Sequence, residues 1–119
     1  MGDLTKNFSR KEFVCKCGCG QENMHYGFVL ALQRVRNETK YKIKINSGFR
    51  CRKHNKAVGG KPTSSHLRGI AVDIACKGSA KRYRLLALLP AEFNRVGIGK
   101  DFIHVDSDGA KARNVIWVY

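Results

Sequence analysis

Apolar positions along the chain follow more than one rhythm. Between Met24 and Lys40 they recur at Phe28, Leu32 and Val35, with Val29, Leu30 and Ala31 widening the stripe, which is the spacing of a helix packed along one face. Tyr41 to Ser47 alternates instead, with Ile43 and Ile45 set between lysines, as a half-buried strand does. Cys51 to Gly60 predicts a short helix followed by a glycine loop. Gly69 to Cys76 predicts a strand, and Ser79 to Leu89 a helix closed by Pro90. Arg95 to Gly99, Phe102 to Asp106 and Asn114 to Tyr119 are rich in β-branched and aromatic residues between turn residues, and predict three more strands. Near the start, Ser9 and Glu12 have capping-box spacing for a short helix over 7–13, with Phe8 and Phe13 as apolar anchors. Together these elements predict an α+β domain: a mostly antiparallel sheet with its helices packed on one side.

Length sets the frame for that prediction. A chain of 119 residues, 43% hydrophobic, supports one core, so residues 1–119 are expected to form a single domain with no separate binding module. Its charge of +14, from 23 basic and 9 acidic residues, draws it toward polyanions such as nucleic acid, anionic lipid surfaces or acidic wall polymers. The lysines and arginines are scattered from Lys6 to Arg113, with no recognition motif and no interleaved aromatics, which weighs against a nucleic-acid-binding module. Met1 to Phe8 turns polar at once, and the apolar run Leu85 to Leu89 is far shorter than the roughly 20 residues of a membrane span. The expectation is a protein made in the cytoplasm without a leader.

The five cysteines are an odd number, and three of them crowd into Cys15-Lys16-Cys17-Gly18-Cys19, with Cys51 and Cys76 far off. Without a secretion signal, that count argues against an obligatory disulfide framework. Two readings stay open: free thiols tucked under a tight turn, or a structural zinc site using Cys15, Cys17, Cys19 and Cys51. The one-residue spacing is narrower than the usual two to four, and buried free thiols are the default.

The densest chemistry lies in Ser64-Ser65-His66-Leu67-Arg68-Gly69-Ile70-Ala71-Val72-Asp73 and in Asp101-Phe102-Ile103-His104-Val105-Asp106. His66, Asp73 and His104 make a ligand set of two imidazoles and a carboxylate, the kind that holds catalytic zinc and leaves a position for water. The spacing from His66 to Asp73 is too wide for a helical turn, so His66 is expected on a loop and Asp73 in the strand it enters, with His104 on an adjoining strand. Two acids compete as proton acceptor. Strand alternation puts Asp106 on the face of His104, whereas Asp101 follows a glycine turn and need not obey the alternation.

Ser64-x-His66-x-x-Gly69-x-Ala71-x-Asp73, preceded by Ser47-Gly48-Phe49-Arg50, Asn55 and Val58-Gly59-Gly60, resembles the M15 family of zinc D-Ala-D-Ala carboxypeptidases and peptidoglycan endopeptidases, its small phage and prophage endolysins above all. The resemblance runs from about Asn7 to Asp106 and implies a zinc peptidoglycan peptidase with one zinc on His66, Asp73 and His104. It further implies Asp101 as the catalytic base, Asp106 as a partner orienting an imidazole, Arg50 facing the substrate, and Ser64 bonding it. The endolysin-like members make L-Ala-D-Glu the first choice of bond, ahead of a D,D cross-link or the terminal D-Ala-D-Ala bond. Such a protein is expected to be a monomer, drawn by its charge to the anionic envelope, and to reach the wall by a separate release route such as a holin. The hedgehog signalling domain, similar in its zinc site, provides the non-catalytic alternative, against which Asp101 and Arg50 argue.

Overall fold

The computed structural model describes residues 2–119. After a 3₁₀ turn at Arg10–Glu12, helix α1 (Tyr26–Thr39) leads to strand β1 (Ile45–Ser47), helix α2 (Arg52–Ala57) and a second 3₁₀ turn at Ser65–Arg68. Strand β2 (Ala71–Ala75), helix α3 (Ser79–Glu92) and strands β3 (Arg95–Ile98), β4 (Phe102–Asp106) and β5 (Val115–Val118) complete the chain. The sheet runs β1-β2-β4-β3-β5; all its pairings are antiparallel except β3 with β5. The fold is α+β, as the pattern predicts.

Strand alternation decides where the site can be. Val72, Ile74, Val96, Ile103 and Val105 are buried in one cluster with Phe28, Leu32 and Val35 of α1 and Leu85 and Leu89 of α3. Burying each such side chain contributes about 1.5–3 kcal/mol, which fixes that face of the sheet inward. Asp73, His104 and Asp106 therefore occupy the opposite face, away from α1 and α3. The register of β2 with β4 is unbroken from Ala71 opposite Asp106 to Ala75 opposite Phe102, and it sets Asp73 directly across from His104.

Three elements differ in extent from the pattern. The N-terminal helix is a single 3₁₀ turn, with the Ser9 N–H bonded to Glu12 Oε2 at 2.7 Å and Phe8 and Phe13 buried. Strand β1 begins only at Ile45, and its register against β2 shifts between Ile45 and Ser47. Helix α3 does not stop before Pro90 but runs through it to Glu92. Proline there, in the last turn, removes only one N–H, and the Phe93 N–H closes the helix on Leu89 O at 2.9 Å. Among the described residues, no helix is long and apolar enough to cross a membrane.

Candidate metal centre

His66 sits in the Ser65–Arg68 turn, whose start is capped by Ser64 Oγ accepting the His66 N–H at 3.3 Å. The turn ends at Gly69, which has φ +69°, and a Cβ there would lie 1.9 Å from Asn23 O. Only glycine fits that position. The Gly69 carbonyl accepts the His25 N–H at 2.9 Å, so the head of α1 pins the loop that carries His66.

Both imidazoles are oriented from outside. His66 Nδ1 lies 2.8 Å from Gly48 O, and a carbonyl only accepts, so Nδ1 carries the proton and Nε2 turns its lone pair inward. His104 Nε2 lies 2.7 Å from Asp106 Oδ2, which leaves Nδ1 facing inward. Asp73 Oδ1 stands between them, 3.5 Å from His66 Nε2 and 2.9 Å from His104 Nδ1. The three ligand atoms lie within 4.8 Å of one another.

Three acceptors thus converge with no donor between them unless an imidazole takes a second proton. Burial on its own would raise the Asp73 carboxyl, but its bonds to His104 and His66 hold it far below the usual carboxylate range. Burial would likewise lower the His104 imidazole, and Asp106 and Asp73 outweigh it to hold it above its ordinary value. A divalent cation satisfies all three lone pairs at once, and two imidazoles with one carboxylate form a donor set suited to zinc, with room for a further ligand. The residues fit the metal.

Asp106, 1% exposed, has both oxygens committed: Oδ2 to His104, and Oδ1 to the Asp108 N–H at 3.1 Å and to Arg95 Nε at 2.9 Å. Bonded to Nε2 and held in turn by Arg95 and the Asp108 N–H, it is placed to orient the imidazole.

The sequence profile of the peptidase M15 family matches residues 6–106, from the N-terminal segment to the end of β4. The chain belongs to the peptidase M15 family. A comparison with curated proteins returns no match.

In this M15 peptidase Arg50 reaches the cleft beside the ligand set. Its Nε donates to Ser47 Oγ and its NH1 to Asn55 Oδ1, each at 3.3 Å, and its NH2 lies 3.8 Å from Asp73 Oδ2. Ser64 lines the same cleft, its hydroxyl engaged as the cap of the His66 turn. Asp101 is the exception among the residues named from the sequence. It is exposed in the three-residue turn between β3 and β4, where its carbonyl accepts the Cys76 N–H at 2.9 Å, and it does not line the cleft. Because the β4 register contains no bulge, Asp101 lies about 10 Å along the strand from His104, beyond the reach of an aspartate side chain.

Other cleft residues escaped the sequence reading. Trp117 packs against His104 with ring centroids 5.6 Å apart, and Arg95 lies over the indole at 4.9 Å. Phe102 and Tyr119 extend this wall, 5.1 Å apart. The available signal was Gly97, a glycine inside a strand, which marks the close approach of another group.

Proposed function

We propose that this peptidase is a zinc-dependent peptidoglycan endopeptidase that hydrolyses a stem-peptide amide bond, L-Ala-D-Glu in the first instance. The observation that carries the reading is the convergence of His66 Nε2, Asp73 Oδ1 and His104 Nδ1 on the open face of the sheet. Held there, zinc supplies a Lewis acid that polarises an amide carbonyl and lowers the pKa of a water to about 7. Arg50, its fork fixed by Ser47 and Asn55, presents donors where charge develops on the carbonyl oxygen, or to a carboxylate of the stem peptide. His66, Asp73 and His104 would hold the metal, and a water it activated would stand in the solvent-accessible cleft beside Arg50.

An internal bond is favoured over a terminal one by the shape of the surface. The metal cleft, about 540 Å³, shares Arg50, Thr63, Ser64 and Lys111 with a groove of about 1280 Å³, so a peptide held at the centre has room to continue beyond it. Arg52, Lys53 and Arg68 also line that groove, which suits the carboxylates of stem peptides and the anionic envelope. The choice of L-Ala-D-Glu rests on the resemblance to phage-type members, as does action on the wall after release, by a monomer.

Mass spectrometry of purified peptidoglycan after digestion tests the proposal. Fragments with a new D-Glu amino terminus are expected. Release of free D-Ala alone would replace the reading with a carboxypeptidase, and an undigested wall would refute it.

A further inference from the structure

A second group of potential ligands shares no residue with the histidine centre and supplies no chemistry to the proposed hydrolysis. Cys15, Cys17, Cys19 and Cys51 bring four sulfurs within 4.8 Å of one another. Three of the separations are 3.5 Å (Cys15–Cys17), 3.7 Å (Cys15–Cys51) and 3.7 Å (Cys17–Cys51). A disulfide would need about 2.0 Å. Four thiolates at about 2.3 Å from one tetrahedral zinc stand about 3.8 Å apart. The observed spacings match the second arrangement and exclude the first.

The backbone is shaped to hold these sulfurs. Gly18 (φ +87°) and Gly20 (φ +78°) each follow a cysteine and take a left-handed conformation, which lets a C-x-C-x-C run wrap a centre despite its narrow spacing. The Cys15 N–H closes the loop on Gln21 O at 2.9 Å. Two backbone N–H groups point at sulfur, Cys51 N at Cys15 Sγ and His54 N at Cys51 Sγ, both at 3.4 Å. Such bonds stabilise thiolates and orient them as ligands. A zinc tetrathiolate carries a charge of −2, and Lys16, Arg52 and Lys53 are its neighbours in the chain.

We propose that Cys15, Cys17, Cys19 and Cys51 form a structural zinc site, separate from the His66–Asp73–His104 centre. Four protein ligands close the coordination shell, so the site holds the fold and does no hydrolysis. Its ligands come from the N-terminal loop and from the residue next to Arg50, so the metal clips that loop to the segment that aims the cleft arginine. The same segment is anchored by the Phe49 N–H on Phe13 O at 3.0 Å.

The test is a metal count on three purified full-length proteins expressed with zinc: the wild type, His66→Ala, and Cys17→Ser/Cys19→Ser, whose two positions are both exposed. Two zinc ions are expected in the wild type and one in each variant. Because His66→Ala removes the other centre, its remaining metal reports on the cysteines whether or not the peptidase reading holds. Replaced by cobalt, that metal should give an intense near-ultraviolet thiolate charge-transfer band. A metal-free His66→Ala protein, or a cobalt form without the band, would overturn the proposal even if the cysteine variant failed to fold.

Discussion

Gly97 and Trp117 face each other across the β3–β5 pairing, and a Cβ on Gly97 would lie 2.6 Å from the indole ring. The missing side chain is the space in which the indole lies against His104. Gly97→Ala must therefore displace Trp117 while leaving the metal ligands in place. Trp117 is the chain's single tryptophan, so its fluorescence reports the shift directly. Losing an aromatic contact of about 0.5–1.5 kcal/mol should raise KM by roughly 3- to 10-fold with zinc content unchanged. Unaltered fluorescence and KM would show that the ring has no part in the cleft.

Asp106 holds the His104 tautomer. In Asp106→Asn the amide can offer its NH₂ to Nε2, which moves the ring proton to Nδ1, the atom that faces the metal position. Zinc affinity at the histidine centre should fall by about 10- to 100-fold, measured by chelator competition. Affinity unchanged from wild type would mean that Asp106 does not orient the ligand.

Asp101 separates the geometry from the family analogy. A general base contributes typically 10²- to 10⁴-fold, so its removal is readily detected. With Asp101 exposed about 10 Å along β4 from His104, Asp101→Ala should change kcat by less than about 5-fold and leave the pH–rate profile in place. A loss approaching about 10³-fold with zinc retained would restore the base to Asp101.

Asp108, 0% exposed, ties the His66 turn to the chain beyond β4. Its carboxylate accepts from Ser65 Oγ at 2.7 Å and the Ala110 N–H at 3.0 Å and pairs with Arg68. Burial would raise its pKa, but these bonds outweigh it and hold the pKa below the ordinary value. A carboxyl depressed in the folded state contributes stability that is fully present above its unfolded pKa, about 3.9, and is lost as pH falls through the lower folded value. Asp108→Asn should lower stability by about 1–3 kcal/mol at pH 7 and flatten the acid dependence below pH 4. Thermal melts at the two pH values check both effects; an equal loss at both would mean that charge is not what holds the turn.

Much of the centre was legible because it follows local rules. His66 on a loop, Asp73 in the next strand and Asp106 on the face of His104 come from a spacing and an alternation. Helix α1 was legible from its apolar stripe. The aromatic wall was not, since Trp117 meets His104 only through the parallel β3–β5 pairing, a long-range contact that no local pattern encodes. Pro90 misled because its cost depends on its position in the helix; Asp101, named from a family offset, stands exposed outside the cleft, and no local pattern fixes where a turn residue points. The cysteine spacing did not fix the path of the loop, which the left-handed Gly18 and Gly20 bend so that four sulfurs come within 4.8 Å of one another.

If the proposed function holds, amide hydrolysis depends on the histidine–aspartate centre. The measurement that decides this is the rate of stem-peptide hydrolysis by His66→Ala beside the wild type, at equal folded protein and with zinc supplied. Turnover by the wild type and none above background by the variant is expected. Hydrolysis at a comparable rate by His66→Ala would contradict it.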